Sequence, residues 1–334
     1  MESQSNFSLN WSGNVRASPK ILYPKNLEEL KKITDEKNFI IAGNQRSFGD
    51  NSVNSNLIVS MKNFNQVVDF NKREGIIEVQ SGALLKNILS LILNEGWCIP
   101  VTPGTKYVSI GGMIANNIHG KNILNNQIKH HVVEIKILTP KKEIINCSKN
   151  ENQDFFEMTI GGFGLTGCIL SAKIKLKKIT SFFIEQEVKE FKNYNEFFSL
   201  LKKSDGYEYN VNWIDSFDSS QIKGLCYFGK HSTENNEISK EKISFKEKKI
   251  GLLNLVFLKI FTQNYYLIKI TKFIFRKLKK NFCKKTSSFD DFFYPQDYFI
   301  NWNKIYGSDG FFQVQFLVKE KDFIDILGRI SSFF

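Results

Sequence analysis

The chain has 334 residues, enough for two domains, and its 42% hydrophobic and 14% aromatic content excludes a disordered polypeptide. Its net charge of +12 is local, because fourteen basic residues between Lys240 and Lys285 face only two acids, Glu241 and Glu247, so a uniformly basic protein is excluded as well. Five scattered cysteines, Cys98, Cys147, Cys168, Cys226 and Cys283, include no C-x-x-C pair, which argues for free thiols in a reducing compartment and against a disulfide framework.

The N-terminal "MESQSNFSLNWSG" has neither a basic start nor an apolar run, so no secretory signal is expected. Residues 26–37 are predicted helical, with Leu27, Leu30 and Ile33 on one face. "FIIA" (39–42), "LIVS" (57–60) and "IIEVQ" (76–80) are predicted strands, and the first runs into the loop 43–50. An apolar helix from Leu84 to Asn94 stops at Gly96, and a turn follows at Pro103-Gly104-Thr105. "VVEIKIL" (132–138) is a further strand. Beyond residue 180, strands are expected near 182–189, 207–214 and 311–318, with helices near 193–203 and 320–330. No repeat of 20–50 residues is visible.

Gly162-Phe163-Gly164-Leu165-Thr166-Gly167 matches the dinucleotide fingerprint G-x-G-x-x-G, which requires a strand before it and a helix after it. Here the order is reversed. Residues 151–158 are predicted helical, whereas Ala172, Ile174 and Leu176 alternate with Lys173, Lys175 and Lys177 at the strand period. A Rossmann fold is therefore not expected. Glycine-bearing loops at 43–50, 104–112 and 161–167 together suit a large phosphate-bearing ligand, since exposed backbone N–H groups in such loops attract anions. Tight turns are the plainer explanation of each loop alone.

In this order, "IAGNQRSFGDNS" (41–52), "PGTKYVSIGGMIANNIHGKN" (103–122) and "TIGGFGLTGCI" (159–169) resemble the FAD-binding domain of the vanillyl-alcohol-oxidase or PCMH-type flavoproteins. "FFYPQDYFINWNKIYGSDGFFQVQFLV" (292–318) resembles the substrate domain of the branch that oxidises decaprenylphosphoryl-ribose, while 230–288 matches poorly. The resemblance implies an α+β fold, with a two-subdomain FAD-binding domain at 1–180 and a β-sheet-plus-helices cap at 181–334. It implies that Ala42, Gly43, Asn44, Gln45, Arg46, Ser47, Phe48, Gly49, Asp50 and Asn51 wrap the pyrophosphate. Gly104, Ser109, Ile110, Gly111 and Gly112 would line the cofactor channel. Asn116, Asn117, Ile118 and His119 would sit against the flavin, with Ile169 touching it through its backbone. Ala42 and Gln45 stand where many members carry Arg and Gly. Arg46 stands where covalent members carry the linking His, so non-covalent FAD is expected.

The implied chemistry is oxidation of a secondary hydroxyl on a polyprenyl-phosphate-linked pentose to a keto sugar, as one half of an epimerisation completed by a short-chain reductase partner. A soluble sugar or aldonolactone oxidase is the alternative, and a flavin-binding remnant without activity is another. An imidazole can trade a proton near neutral pH, so His119 is either the base that takes the hydroxyl proton or a ring that orients the flavin. Lys121 is either a point charge for a substrate phosphate or a solvated loop lysine. Gln313 and Gln315 fall on one face of the expected strand, suited to sugar hydroxyls or simply exposed. Trp213 is either a pocket wall or core. His130 and His131 point apart, His231 falls in a polar loop, and no metal site is expected.

Residues 253–280 are apolar but too often charged to span a bilayer. From 265 onward Lys269, Lys272, Arg276 and Lys280 form one helical stripe and Leu267, Ile270, Ile274 and Leu278 another. That pattern within 250–285 predicts a helix lying on an anionic membrane surface, with nucleic acid or a plain cap helix as rivals. The expected location is cytoplasmic, peripheral at the inner face of the membrane. Members of the resembled family continue past the point where "GRISSFF" ends this chain, so a shortened form, weak as an enzyme, is expected.

Overall fold

A computed structural model describes residues 2–5, 8–36, 38–215, 222–233 and 285–331, and between these last two only 243, 245, 247–249, 264, 266, 267, 270, 271, 274, 277 and 278. The first sheet is built from β1 (Glu2–Ser5), β2 (Lys20–Tyr23), β3 (Phe39–Ala42) and β4 (Leu57–Ser60), in the order β1-β2-β4-β3. Helix α1 (Leu27–Ile33) lies between β2 and β3. Asn26 caps it by accepting from the Glu29 N–H at 2.9 Å, and Leu30 and Ile33 are its buried face.

The second sheet is antiparallel. It contains β5 (Val67–Asn71), β6 (Ile76–Gln80), β7 (Val132–Leu138), β8 (Ile144–Ser148) and β9 (Cys168–Lys175), in the order β8-β7-β9-β6-β5. Helix α2 (Leu85–Ile92) packs beneath it with Leu85, Ile88, Leu89 and Ile92 fully buried, the i, i+3, i+4, i+7 stripe. Each such side chain contributes roughly 1.5–3 kcal/mol on burial. Gly96, at φ 75°, ends the helical run in the left-handed region that glycine tolerates. The short helix α3 (Ile110–Ala115) and α4 (Gln153–Thr159) complete this half.

The third sheet begins with β10 (Phe183–Phe191), followed by α5 (Tyr194–Lys202), β11 (Tyr209–Asp215), β12 (Lys223–His231) and β13 (Thr286–Ser288), in the order β11-β12-β10-β13. Helices α6 (Phe289–Phe293) and α7 (Phe323–Ser331) follow. One hydrophobic cluster runs from Ile77 and Leu85 to Tyr209, Phe289 and Phe293, so residues before and after 180 share one core.

Three sequence expectations differ from the structure. Residues 311–318 form no regular element and pair with no strand among the described residues, leaving Phe312 86% and Leu317 101% exposed. His231 is buried at the end of β12 instead of lying in a loop. The strand β12 itself was not expected, because Gly224 and Gly229 lower the strand propensity of its sequence. Those glycines are required sterically, since a Cβ at Gly229 would meet Phe292 at 2.5 Å and one at Gly224 would meet the Trp213 carbonyl oxygen at 2.0 Å. The basic stripe of Lys269, Lys272, Arg276 and Lys280 lies outside the described residues.

Candidate functional site

A cavity of about 640 Å³ opens between the loop after β3, the region 103–119 around α3, the glycine loop before β9, and the cap segment 296–315. Its shape depends on close backbone approach. A side chain at Gly43 would meet Ser109 Oγ at 1.9 Å, so the β3 loop can lie on α3 only with glycine there. Ser109 caps α3, accepting from the Gly112 N–H at 3.3 Å. A Cβ at Gly111 would meet Ser81 Cβ at 2.8 Å. Gly104 and Gly164 are different: a Cβ at either meets no protein atom within 4 Å, so both present bare backbone to open space in the cavity wall.

Of the expected cofactor residues, Ala42, Gly43, Asn44, Gln45, Arg46, Ser47, Phe48 and Asn51 line the cavity. So do Gly104, Ser109, Gly111, Gly112, Asn116, Ile118, His119 and Ile169. Gly49 and Asp50 belong to the same loop but not to the wall, and Ile110 faces the core under α3. Asn117 turns the chain at φ 40° and accepts from the Lys129 N–H at 3.3 Å.

The wall carries unsatisfied polar atoms. Arg46 Nε, Asn51 Oδ1, Ser52 Oγ and Ser81 Oγ are buried without a hydrogen-bond partner, although Asn51 Nδ2 donates to Asn116 Oδ1 at 2.6 Å. Buried polar groups are rarely left unpaired, so these four mark where a polar ligand would complete the site. Bare glycine backbone, orphaned donors and acceptors, and the apolar Ile41, Met61, Val108 and Ile169 in one long cavity fit a dinucleotide.

Arg46 stacks on the Trp11 ring at 3.8 Å and faces the Tyr107 ring at 5.2 Å. Burial lowers its pKa, opposed by the charge of Asp297. Trp11 was missed in the sequence because only long-range contacts reveal it. Its backbone N–H donates to the Ser47 carbonyl at 2.9 Å, and its carbonyl accepts from Asn303 Nδ2 at 2.7 Å. Trp302, Gln296 and Phe163 also line the cavity unannounced. The signal available for Phe163 was its place between Gly162 and Gly164, where it adopts φ 51°, a conformation bulky residues rarely accept.

The structure brings together His119 and Gln315, whose Nε2 and Oε1 stand 3.3 Å apart. Gln313 lines the same cavity, on an irregular segment rather than on the expected strand. Two expected residues lie elsewhere. Trp213 sits within β11 opposite Leu225, away from the cavity. Lys121 is neither a solvated loop lysine nor in the cavity wall: its Nζ donates to the carbonyls of Phe292 at 2.5 Å and Phe293 at 3.2 Å. Behind the site, Lys106 and Asp290 form a buried ion pair at 2.6 Å, and Asp297 accepts from the Lys106 N–H at 2.7 Å and from Thr105 Oγ1 at 3.0 Å. Burial raises the Asp297 pKa.

Residues 19–148 match the family of FAD binding domains. Over 291 residues, 84% of this chain and 63% of the relative, the sequence is 28% identical to decaprenylphosphoryl-beta-D-ribose oxidase of Mycolicibacterium smegmatis. It is 24% identical to L-gulonolactone oxidase of Mus musculus over 172 residues, 50% of this chain and 39% of that protein. A putative D-arabinono-1,4-lactone oxidase of Neurospora crassa is 24% identical over 49% of this chain and 31% of its own length. The chain thus spans less than two thirds of each of these relatives. The match over residues 19–148, together with these relatives, implies FAD as the cofactor of this chain.

Proposed function

We propose that the chain is an oxidoreductase that uses non-covalent FAD to oxidise a secondary hydroxyl of a sugar, a pentose carried on a polyprenyl phosphate, to a keto sugar. The observation that carries it is the His119–Gln315 pair in the wall of the cavity whose other walls are the cofactor loops. FAD, when bound, supplies the acceptor for the hydride that leaves the carbinol carbon. A hydroxyl that displaces Gln315 from His119 meets an imidazole nitrogen freed to receive its proton and an amide able to hold its oxygen. Gln313 offers a second amide to the sugar, and Trp11 and Trp302 give the same cavity apolar aromatic walls. Arg46 has no nucleophile for a histidyl-type link, which favours dissociable FAD.

The match to the M. smegmatis relative extends over 84% of the chain, whereas the matches to lactone oxidases cover about half, which favours the lipid-linked sugar over a lactone. Such a substrate is met at a membrane. Tyr266, Ile270, Ile274 and Leu278 are helical and exposed, an apolar stripe suited to the inner membrane surface from the cytoplasm. A short-chain reductase acting on the keto sugar would complete an epimerisation.

The experiment is anaerobic mixing of the FAD-loaded chain with a polyprenyl-phosphoryl pentose or with an aldonolactone, followed by flavin absorbance. The lipid-linked sugar should bleach the flavin, and His119→Gln should slow bleaching by about 10²–10⁴-fold. Bleaching by the lactone alone would replace the proposed substrate, and flavin retained on the acid-precipitated polypeptide would refute the non-covalent link.

A further inference from the structure

The segment after His119 leaves the flavin-binding half and is built into the cap. Asn122 forms a bridge with Tyr209, the Asn210 N–H donates to the Lys121 carbonyl at 2.7 Å, and the Ile123 N–H donates to the Glu208 carbonyl at 3.1 Å. Residues 121–123 are therefore tied to the edge of β11 by a β-bridge. Asn122 Nδ2 also donates to the Pro100 carbonyl at 2.8 Å, so the same residue holds both halves.

The side chain of Lys121 reaches the carbonyl end of α6. The last carbonyls of a helix lack intrahelical donors, and a lysine is a natural partner for them. Nζ donates to Phe292 and Phe293 and stands 5.2 Å over the Phe292 ring. Phe292 in turn packs on Gly229 of β12. This placement is unfavourable for a cation. Burial alone pulls the Lys121 pKa down to about 8, with no charged neighbour contributing. A methionine would fill much of the same space without that penalty, so what the amine adds is its hydrogen bonds.

We infer that Lys121 is a positioning residue: its ammonium clamps the His119 loop to the carbonyl end of α6 and thereby sets the imidazole against Gln315, and it does not contact substrate. Only Gly120 separates clamp and imidazole, and Gln315 reaches His119 from the cap side, so the orientation of the ring depends on how this loop is seated on the cap. The functional weight of His119 rests on the proposed oxidation, but the clamp is measured without substrate, so failure of that reaction would leave the result below untouched.

The test is histidine NMR on the full chain, apo and FAD-loaded. There are only four histidines, at 119, 130, 131 and 231, and His119→Gln assigns the signal of interest. Lys121→Met keeps the stem and removes the donors. The expected result is a shifted, broadened His119 ring signal with the His231 signal in place and FAD still bound. An unmoved His119 signal would overturn the inference. A second measurement uses the unaltered protein and decides alone should Lys121→Met fail to fold. The Lys121 13Cε resonance is followed while millimolar inorganic phosphate is added. No movement is expected of an amine engaged by two carbonyls. A saturable shift would show a cation open to phosphate and would overturn the positioning role.

Discussion

At His231 both ring nitrogens are engaged. Nδ1 meets the Ser181 carbonyl at 2.7 Å and Nε2 meets the Tyr209 hydroxyl at 2.9 Å, while Lys177 Nζ donates to that same hydroxyl at 3.0 Å. The carbonyl fixes the proton on Nδ1, so Nε2 accepts from Tyr209 and the neutral ring is fully satisfied. A second proton on Nε2 would face a donor and a nearby ammonium. Burial, followed by the charge of Lys177, lowers the His231 pKa to about 4 from 6.5. Between those values the unfolded chain binds the proton and the folded chain does not, so stability falls as pH drops from 6.5 toward 4. His231→Gln should flatten that part of the stability–pH curve, measured by urea unfolding at a series of pH values. An unchanged slope would mean that other groups carry it. Nothing local in "GKHS" announces this burial, because it is created by Ser181 and Tyr209, far away in sequence. Gly43 and Ser109 were legible for the opposite reason, since a glycine loop states its need for backbone approach in its own residues.

Helix α6 shows how an element is held by groups from the other half. Its residue Asp290 receives Lys106 Nζ at 2.6 Å, both side chains being buried, and its final carbonyls receive Lys121. Removing one partner of a buried pair strands the other charge, at a cost of about 3–5 kcal/mol, whereas an apolar replacement of both is often nearly neutral. Lys106→Ala should therefore lower the urea midpoint strongly, and Lys106→Met with Asp290→Leu should restore most of it. A double variant as unstable as the single one would show that packing, rather than the stranded charge, sets the cost. The strands 39–42, 57–60, 76–80 and 132–138 were readable from β-branched runs with the boundaries observed. The segment 311–318 has the same alternation but makes no ladder with the described residues, because period-two patterning specifies a face and not a partner.

For the whole molecule, the two halves share a core and both line the large cavity, while the net charge is collected in one stretch remote in composition from both. No helix among the described residues is long and apolar enough to cross a membrane. Tyr266, Ile270, Ile274 and Leu278 are nonetheless exposed at four-residue intervals, which aligns them along one side of a helix. Leaving such a stripe in water forgoes roughly 1.5–3 kcal/mol per large side chain. Each Lys or Arg near an anionic bilayer adds about 1 kcal/mol, and salt screens that part alone. The two contributions separate experimentally. Lys269, Lys272, Arg276 and Lys280 changed together to Gln should abolish flotation with anionic vesicles at low salt and leave FAD in place. Ile270→Glu with Ile274→Glu should abolish it with all four cations retained. If only the charge variant mattered, and single-stranded nucleic acid displaced the vesicles, the stretch would be an electrostatic binding surface for a polyanion instead of a membrane-seated helix.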